Sequence, residues 1–455
     1  MKIHFIGIDG ISMSAIAKIM QEQGHQISGS DLKKSSLTER LIEKGALFFD
    51  SQIAKNIEQV DPDIVVYTAA INKQNPELVA AINSRATVYE RSKYLGKMSK
   101  GYKNSIAIAG SHGKTTTTAM ITSVLIKSGV DPTALVGGEL ADIQGNVRIG
   151  QSDVFVTEAC EYVESFLSIY PYIGVILNID LDHLDFFKDI NHIISSFSKF
   201  SQNIPTDGFL VINSDDEYAW SIIESNKSNT VTFGIDEKAN WQAKNCSFYA
   251  GGSKSDIYYN GEYIDTLKLI VPGKHNIYNA LSVIACCHSL NIDLKKPFEA
   301  LASFVGTHRR FEKRGAYKGA FLIDDYAHHP KEIKATISAA RDSHSPKKLT
   351  VIYQPHTYTR TKNLLEDFSK AFSGADRVII TPTYAAREPY DETADSKILT
   401  SSILKFQDDV HYVDSYEEAA DLIDQSIIPG ELIVTMGAGP VDGVIDILLN
   451  KTKNQ

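Results

Sequence analysis

Cysteine is scarce in this sequence, and the few cysteines form no recognisable metal or redox motif. The 455 residues include 4 cysteines, and no two of them are spaced as a CxxC pair. Cys286 and Cys287 are adjacent within an apolar stretch of helical pattern. Buried free thiols in a reducing compartment are the simplest interpretation, so we do not expect a disulfide-stabilised secreted protein.

Long apolar runs and an excess of basic residues are also missing. No apolar run approaches the roughly 20 residues that cross a bilayer. Residues 1–10 lack the basic region, apolar core and cleavage site of a signal peptide. Lys and Arg number 46 against 56 Asp and Glu, which gives a net charge of −10. We therefore expect a cytoplasmic protein that binds neither a membrane nor nucleic acid.

The sequence does contain a repeated alternation of short apolar runs with helical patterns. A chain of 455 residues is too long for one core, which predicts two to four domains. Alternation of strands and helices is typical of α/β domains with parallel sheets, and we predict that fold class. The predicted strands are residues 3–8, 25–29, 64–68, 105–109, 154–158, 174–178, 320–324, 349–354, 377–382 and 431–436.

The most specific motif is a glycine-rich loop between a predicted strand and a helical pattern. Its glycines would let backbone N–H groups surround phosphates, while Lys114 reaches the β- and γ-phosphates and Thr115 binds Mg²⁺. Ile108 stands where the longer GxxxxGK[ST] motif has its first glycine, so the shorter GxxGKT form carries the prediction. The predicted ATP-binding residues of this loop are Gly110, Ser111, His112, Gly113, Lys114, Thr115 and Thr116.

Acidic residues and a histidine follow two other predicted strands. Glu158 ends an apolar strand, a position where carboxylates meet a metal bound to phosphate. His183 comes just after the next strand, in a run that also holds Asp180, Asp182 and Asp185. A histidine among carboxylates predicts a metal site, and the alternative interpretation is a solvated turn.

Two further segments could complete a nucleotide site. His275, Asn276 and Asn279 fall on one helix face, where carboxamides can recognise an adenine edge; the alternative is a polar helix start. Arg309 and Arg310 lie at a predicted domain junction. An arginine there could close onto a γ-phosphate, or it could form an interdomain salt bridge.

The first predicted strand runs into a second glycine-containing loop, which is a weaker signal. Gly7 and Gly10 suit a phosphate-containing ligand at a sheet edge, but Asp9 and Ser12 stand where further glycines would help. A nucleotide site and a simple tight turn therefore both remain open. Asp31, after the second strand, is a candidate ribose or uracil partner or, alternatively, a helix cap.

The third segment carries polar residues at two strand ends, where α/β sheets bind ligands. Residues 324–330 read DDYAHHP, and their paired histidines could suggest zinc, although no further His or Cys spacing supports it. His356 and Arg360 follow the next predicted strand. An arginine at such a position could hold a carboxylate through two hydrogen bonds.

These motifs, in this order, resemble the Mur ligase family over essentially the whole chain. The loop with His112 and the DYAHHP run are the motifs most specific to this family. The resemblance implies an α/β fold of three domains. They are an N-terminal Rossmann-like domain for a UDP-linked substrate at residues 1–100, a central P-loop ATPase with a mixed or parallel sheet at 101–311, and a C-terminal Rossmann-like domain that presents an amino acid at 312–455.

The resemblance also implies a reaction of peptidoglycan precursor synthesis. ATP would phosphorylate the carboxylate of UDP-N-acetylmuramate, and the amine of L-alanine would then displace phosphate. By this resemblance, Lys114 and Arg310 would contact the transferring phosphoryl group, Thr115 and Glu158 would bind one Mg²⁺, and His183 would bind the other. The adenine would lie against His275, Asn276 and Asn279, and the ribose against Asp325. The implied UDP-substrate residues are Gly7, Gly10, Ser12, Met13 and Asp31, and the implied amino-acid residues are Tyr326, His328, His356 and Arg360.

Two departures from the family pattern and two alternative functions accompany this prediction. Cys160 stands where an acid is usual, and Thr357 where many relatives carry arginine, which leaves Arg360 as the expected partner of the amino-acid carboxylate. One alternative is a ligase that adds a whole tripeptide during cell-wall recycling, and the other is a non-catalytic nucleotide-binding regulator. We expect a monomer or a weak homodimer.

Overall fold

A computed structural model describes residues 1–184 and 186–453 of the chain, so that Asp185 of the predicted acidic run lies outside the described residues. The described part contains three β-sheets, each built from its own stretch of sequence and packed with helices. The predicted α/β fold class is therefore confirmed. None of the described helices combines the length and the apolar character that a bilayer crossing requires.

The first sheet has five parallel strands in the order β3-β2-β1-β4-β5. Buried apolar residues of β1 and β4 form its centre, and the chain leaves each strand at the same edge. Its elements are β1 (Lys2–Ile6), α1 (Ile11–Glu22), β2 (Gln26–Ser30), α2 (Ser36–Glu43), β3 (Leu47–Phe49), α3 (Ala54–Val60), β4 (Ile64–Tyr67), α4 (Pro76–Ile82), β5 (Thr87–Glu90) and α5 (Arg91–Ser99).

The second sheet has ten strands, with antiparallel strands at both ends of a parallel centre. Its order is β15-β14-β13-β12-β11-β10-β6-β9-β7-β8. Its elements are β6 (Asn104–Ala109), α6 (Lys114–Lys127), β7 (Thr133–Leu140), β8 (Gly145–Arg148), β9 (Val154–Glu158), β10 (Ile173–Ile176), α7 (Ile190–Ser201), β11 (Phe209–Asn213), α8 (Glu217–Trp220), β12 (Asn229–Gly234), β13 (Trp241–Tyr249), β14 (Gly252–Tyr259), β15 (Glu262–Leu269), α9 (Lys274–Ser289) and α10 (Lys295–Ala302).

The third sheet has six strands in the order β16-β17-β21-β18-β19-β20, and only the β16–β17 pair is antiparallel. Its elements are β16 (Glu312–Tyr317), β17 (Ala320–Asp325), α11 (Pro330–His344), β18 (Lys348–Tyr353), α12 (Tyr358–Asn363), α13 (Leu365–Ser369), β19 (Arg377–Ile380), α14 (Ser396–Ile403), β20 (Val410–Tyr412), α15 (Tyr416–Ser426), β21 (Glu431–Met436) and α16 (Gly443–Lys453).

One strand boundary next to the central glycine loop differs from the predicted one. The predicted strand at 174–178 ends at Ile176, because the chain then turns to bond the loop through Asn178. The helix that follows the glycine loop begins directly at Lys114. Its N-cap is Gly113, whose φ of 84° turns the chain directly into the helix, so Lys114 and Thr115 occupy its first turn.

A fully buried polar network lies inside the first sheet. The Nε2 atom of His4 on β1 lies 2.9 Å from Oε1 of Glu77 on α4, and neither side chain is exposed. Asn56 donates to the same oxygen at 2.7 Å, and the hydroxyl of Ser30 donates to the other carboxylate oxygen. These bonds tie the end of β2 to the helices behind the sheet. Removing one partner would leave buried polar groups unsatisfied.

We predict that Glu77→Ala weakens the first sheet by roughly 3 kcal/mol, because it leaves several buried hydrogen-bonding groups without a partner. Hydrogen exchange followed by mass spectrometry measures this opening locally, without assuming two-state unfolding of the whole chain. Amides of β1 and β2 should exchange faster, while those of β18 and β21 keep their rates. Glu58→Ala, at an exposed position of α3, is the control. Unchanged exchange in β1 would contradict the stabilising role of the network.

Candidate active site

The central glycine loop has a backbone that only glycine can adopt at two positions. Gly110 has a φ of 143° and Gly113 a φ of 84°. A Cβ atom on Gly110 would approach Cβ of Leu177 to 3.0 Å, and one on Gly113 would approach Oδ1 of Asn279 to 2.8 Å. The loop is therefore packed tightly against its neighbours and turned toward the start of α6. This is the geometry in which helix N-termini bind phosphate.

The side chain of Asn178 fixes this loop through two hydrogen bonds to one residue. The backbone N–H of His112 donates to Oδ1 of Asn178 at 2.8 Å, and Nδ2 of Asn178 donates to the carbonyl of His112 at 3.1 Å. The backbone N–H of Ser111 donates to the carbonyl of Asn178 at 3.1 Å. The segment after β10 therefore holds the backbone of the loop in one conformation.

Lys114 lies beneath the loop and is held by a buried carboxylate. Its ammonium group donates to the carbonyls of Gly110 at 2.5 Å and Ser111 at 3.1 Å, and lies 2.9 Å from Oε2 of Glu161. Burial opposes the charged form of Lys114, but the charge of Glu161 outweighs it and raises the pKa of Lys114 above its ordinary value. The site therefore holds a permanent cation. Glu161, which is 2% exposed, was not among the predicted site residues.

Thr115 and Glu158 come together as predicted for a shared metal. The Thr115 side chain is hydrogen-bonded to Glu158, and the N–H of Gly137 donates to Oε1 of Glu158 at 2.6 Å. Burial raises the pKa of Glu158, against the opposing effect of these bonds and of the Lys114 charge. A hydroxyl and a carboxylate are hard oxygen donors of the kind that Mg²⁺ prefers.

His183 lies on the Glu161 side of the site. Its Nε2 atom is 3.7 Å from Oε1 of Glu161 and 3.9 Å from Oδ2 of Asp182, and its ring centre is 4.7 Å from that of Tyr162. The residue has a φ of 54°, an uncommon conformation for a side chain other than glycine. His183 thus faces two carboxylates, as a metal ligand could.

A series of contacts between polar side chains connects the predicted phosphate loop with the predicted amino-acid site. From Lys114 it passes through Glu161, His183 and Asp182 to Arg360, whose Nη2 lies 3.2 Å from Oδ1 of Asp182. Burial opposes ionisation of Asp182, but Arg360 and the nearby histidines hold the pKa of Asp182 below its ordinary value. The groups predicted to bind a phosphate and a carboxylate therefore belong to one site.

The predicted amino-acid residues cluster around Arg360. Nη1 of Arg360 donates to Nδ1 of His356 at 2.9 Å, and the ring centres of His356 and His328 are 5.7 Å apart. Nδ1 of His328 lies 3.0 Å from the carbonyl of Tyr326. Burial lowers the pKa of His328 and of His356 to about 4, so both rings are neutral at physiological pH. Thr357 caps α12: its hydroxyl accepts from the N–H of Arg360 at 3.4 Å.

Arg309 and Arg310, at the second predicted domain junction, make different contacts. Nε of Arg309 donates to Asp324 at 2.8 Å and its Nη2 donates to the carbonyl of Gly437 at 2.8 Å, which makes it the salt-bridging residue. The Arg310 guanidinium lies 5.0 Å from the centre of the Tyr326 ring. Its positive charge weakly opposes the burial that raises the pKa of Glu158, and the phosphate contact of Arg310 stays a prediction.

Asp325 lies at the end of β17 and accepts hydrogen bonds from the backbone before β16 and after β17. Its Oδ2 accepts from the N–H of Phe311 and its Oδ1 from the N–H of Ala327, both at 2.7 Å. Burial raises the pKa of Asp325 to about 6, although the charge of Arg310 and both N–H bonds oppose this. Each carboxylate oxygen retains a second lone pair, so the predicted ribose contact remains chemically open.

The residues predicted for the adenine occupy the start of α9. Nδ2 of Asn276 donates to the carbonyl of Pro272 at 2.7 Å, and Nδ2 of Asn279 donates to Oδ1 of Asn276 at 3.1 Å. Both carboxamides are buried, whereas His275 is exposed. Asn279 also packs against Gly113. The asparagines therefore buttress the phosphate loop, a contact that the helix pattern alone did not indicate.

Asp9 and Asp31 organise the glycine loop after β1. Oδ1 of Asp9 accepts from the N–H of Ser35 at 2.9 Å and from its hydroxyl at 2.6 Å, while Oδ2 of Asp31 accepts from the N–H of Asp9 at 3.0 Å. The alternative interpretation of Asp31 as a helix cap is wrong, because Ser35 caps α2. Gly7, with a φ of 87°, donates its N–H to the carbonyl of Ser30 at 2.8 Å.

An unpredicted arginine reaches the N-terminus of α1. Nη1 of Arg91 donates to the hydroxyl of Ser12 at 3.1 Å, beside Gly10, the N-cap of that helix. Met13 is 2% exposed and packs into the core, so only its backbone can meet a ligand. Arg91 begins α5 directly after β5, a strand that the sequence analysis missed. Had that strand been recognised, its polar end would have pointed to Arg91.

The ring of His112 fills the space between the phosphate loop and α11. Its Nε2 lies 3.2 Å from Oδ2 of Asp180 and its Nδ1 3.2 Å from Oε1 of Glu332. Burial disfavours the charged ring, but the bonds to both carboxylates outweigh it and raise the pKa of His112 to about 9. His112 is thus a cation between two carboxylates at neutral pH.

The three α/β sheets and the glycine loop at the start of α6 are typical of enzymes that bind nucleotides. The family profile described as Mur ligase family, catalytic domain matches residues 2–103, the one described as Mur ligase middle domain matches 108–287, and the one described as Mur ligase, glutamate ligase domain matches 309–439. The chain belongs to the Mur ligase family.

Among curated relatives, the chain is similar to the UDP-N-acetylmuramate–L-alanine ligases of two bacteria. It is 47% identical to that of Caldanaerobacter subterraneus subsp. tengcongensis over 453 residues, 99% of this chain and 98% of the relative. It is 47% identical to that of Alkaliphilus metalliredigens over 448 residues, 98% and 96% of the two chains.

Solved structures agree with this placement. The crystal structure of UDP-N-acetylmuramate-alanine ligase from Thermotoga maritima matches with a TM-score of 0.82 and 32% identity, covering 100% of this chain and 99% of the other. A murein peptide ligase from Psychrobacter arcticus matches with a TM-score of 0.70 and 22% identity over 99% and 98% of the chains, a likeness of fold.

We predict that His112 stabilises the folded chain in a pH-dependent way. Because its folded pKa of about 9 exceeds the ordinary 6.5, the stabilisation is complete below pH 6.5 and is lost as pH rises through about 9. The melting-temperature gap between the wild type and His112→Gln should therefore narrow over that window. Comparing the two proteins at each pH removes the titrations that they share. A gap that stays constant from pH 6 to 10 would contradict a charged His112.

Proposed function

We propose that this chain is an ATP-dependent ligase that joins L-alanine to the carboxylate of UDP-N-acetylmuramate in peptidoglycan precursor synthesis. The observation that carries the proposal is the series of contacts from Lys114 to Arg360, which brings the predicted phosphate loop close to the arginine predicted to bind a carboxylate. The likeness to relatives that bear this activity in their names, over nearly the whole chain, supports it.

The chemistry explains why the site combines these groups. A carboxylate is a poor electrophile, so its oxygen first takes the γ-phosphoryl group of ATP and ADP leaves. The alanine amine then attacks the acyl carbon, inorganic phosphate leaves and an amide bond forms. Negative charge develops on the transferring phosphoryl oxygens, and the permanent cations Lys114 and Arg310 would stabilise it.

We propose that Mg²⁺ is bound by Thr115 and Glu158, with His183 serving a second ion. The touching hydroxyl and carboxylate fit a hard divalent cation, and His183 faces two carboxylates. Bound magnesium supplies neutralisation of phosphate charge. Glu161 and Asn178 would then orient Lys114 and the loop, and the N–H groups of the first turn of α6 would align the phosphates for transfer.

The UDP-linked substrate would bind at the edge of the first sheet. We propose that Gly7, Gly10, Ser12 and the backbone of Met13 meet its phosphates, and that Arg91, already at 3.1 Å from Ser12, adds the charge that the loop itself lacks. Asp31 would contact the nucleoside. The adenine and ribose of ATP would lie near His275, Asn276, Asn279 and Asp325.

Alanine would be held by Arg360 with His356, beside the neutral ring of His328 and near Tyr326. We propose domains at residues 1–100, 101–311 and 312–455. We also propose action in the cytoplasm, where ATP and UDP-sugars are available, as a monomer or weak homodimer.

The direct test is phosphate release from ATP by the purified chain with UDP-N-acetylmuramate, magnesium and one amino acid at a time. Alanine should support release, and a tripeptide acceptor should not. Release that follows the tripeptide instead of alanine would replace this proposal with the recycling activity. No release with any amine donor would favour a binding protein.

We predict that Lys114→Ala abolishes phosphate release, because a lost cation at a developing phosphoryl charge costs several kcal/mol of transition-state stabilisation. Binding of UDP-N-acetylmuramate, measured by calorimetry, should change by less than about twofold, since that site belongs to another sheet. Lys127→Ala, near the other end of α6, is the matched control. Normal turnover of the Lys114 variant would remove the assignment of the phosphate loop.

We predict that Arg360→Lys raises the alanine KM by about tenfold or more, the cost of one charge-assisted hydrogen bond that an ammonium cannot replace. The KM for ATP should change much less. Arg341→Lys is the matched control, because Arg341 also bonds a carboxylate, that of Asp376, and a backbone carbonyl. If the Arg360 variant has an unchanged alanine KM but a lower melting temperature, Arg360 forms a structural salt bridge and does not bind the alanine carboxylate.

A further inference from the structure

The phosphate loop and α11 meet through the side chain of His112. One ring nitrogen bonds Asp180, in the segment after β10, and the other bonds Glu332 on the first turn of α11, 220 residues away in sequence. All three side chains are largely buried, with exposed fractions of 18% for His112, 10% for Asp180 and 16% for Glu332. The contact is therefore a specific bridge between two parts of the fold rather than a surface ion pair.

Glu332 carries this bridge on to the amino-acid side. While its Oε1 faces His112, its Oε2 accepts from the backbone N–H groups of His328 at 3.0 Å and His329 at 3.2 Å. His329 and Glu332 form the capping box of α11. One carboxylate thus connects the ring of the phosphate loop with the peptide that carries His328.

A second ion pair runs parallel to the first. Nζ of Lys331 lies 2.8 Å from Oδ1 of Asp180, and the ring of His329 packs on that of His112 with centres 4.9 Å apart. Two cations, His112 and Lys331, thus face two carboxylates, Asp180 and Glu332. Each of these four charged groups has an opposite charge beside it only while the phosphate loop contacts the start of α11.

We propose that His112 is a positioning residue that sets the start of α11, and with it His328, against the phosphate loop, so that alanine is used productively only when the two are joined. The inference rests on the proposed function and names a residue through which the phosphate site controls the amino-acid site. His112 acts here through its ring, because its backbone N–H and carbonyl are engaged by Asn178.

A bound transition metal is the competing explanation for the same groups. Ligand atoms of His112, Asp180 and His329 lie within 4.8 Å of one another. Both ring nitrogens of His112, however, face carboxylate oxygens at hydrogen-bond distance, as in a doubly protonated ring without a lone pair for a metal. The Lys331 ammonium, 2.8 Å from Asp180, adds repulsion. The geometry therefore favours the ion pairs.

The test compares His112→Gln, Glu332→Gln and the double variant. Glutamine at residue 332 can still accept in the capping box, so α11 keeps its start while the carboxylate facing His112 is lost. Each single variant should raise the alanine KM by about tenfold, the loss of one charge-assisted hydrogen bond. The KM for UDP-N-acetylmuramate, which we propose binds at the first sheet, should stay within about twofold. The double variant should be no worse than either single one, because both changes break the same bridge.

A structural readout accompanies the kinetics. In the ligand-free protein, His112→Gln should speed hydrogen exchange at the first turn of α11 and leave β19 and β20 unchanged. His411→Gln is the matched control, because His411 also pairs with a carboxylate, Asp409 at 2.6 Å, but on the edge strand β20. It should leave the alanine KM unaltered.

Several outcomes would overturn the bridge. They are unchanged alanine KM values in an active enzyme, additive effects in the double variant, or a stoichiometric metal in the purified wild type that His329→Ala removes. A wild type that releases no phosphate with alanine would overturn the proposed function instead, and exchange at α11 would still report whether the bridge exists.

Discussion

The pair of hydrogen bonds between Asn178 and the backbone of His112 is the constraint on which the rest of the site depends. Phosphate binding requires loop N–H groups that keep their directions, and a glycine-rich segment has too much conformational freedom to hold them alone. The Asn178 side chain removes that freedom from outside the loop. Lys114 and Thr115 then begin α6 in the correct place, and the His112 ring is turned outward to Glu332.

The local parts of this arrangement could be predicted from the sequence. Strands β9 and β21 match their predicted limits, because buried apolar runs bounded by polar residues carry that information. Thr115 and Glu158 were predicted to share a metal site and do come together, since β6 and β9 are neighbouring parallel strands that end at one edge. The end of β10 was misjudged, because the partner that draws Asn178 away from the strand lies 66 residues earlier.

The charged partners of the site could not be predicted, because they depend on contacts between distant segments. Asp182 and Arg360 are 178 residues apart, and nothing near either residue indicates the other. The two arginines at the second junction show the same limit. The sequence allowed either a phosphate contact or a salt bridge, and only the fold reveals that Arg309 forms the bridge, whereas Arg310 lies over the Tyr326 ring.

The Asp182–Arg360 contact sets the charge that an amino acid would meet at its proposed binding site. Arg360 already holds a carboxylate before any substrate is present. On the proposed assignment, the alanine carboxylate meets a guanidinium whose charge Asp182 already offsets in part. Its binding therefore gains less from long-range attraction than it would at an unpaired arginine, and it depends little on ionic strength. Selectivity for the amino acid must therefore arise from its shape and its amine rather than from its negative charge.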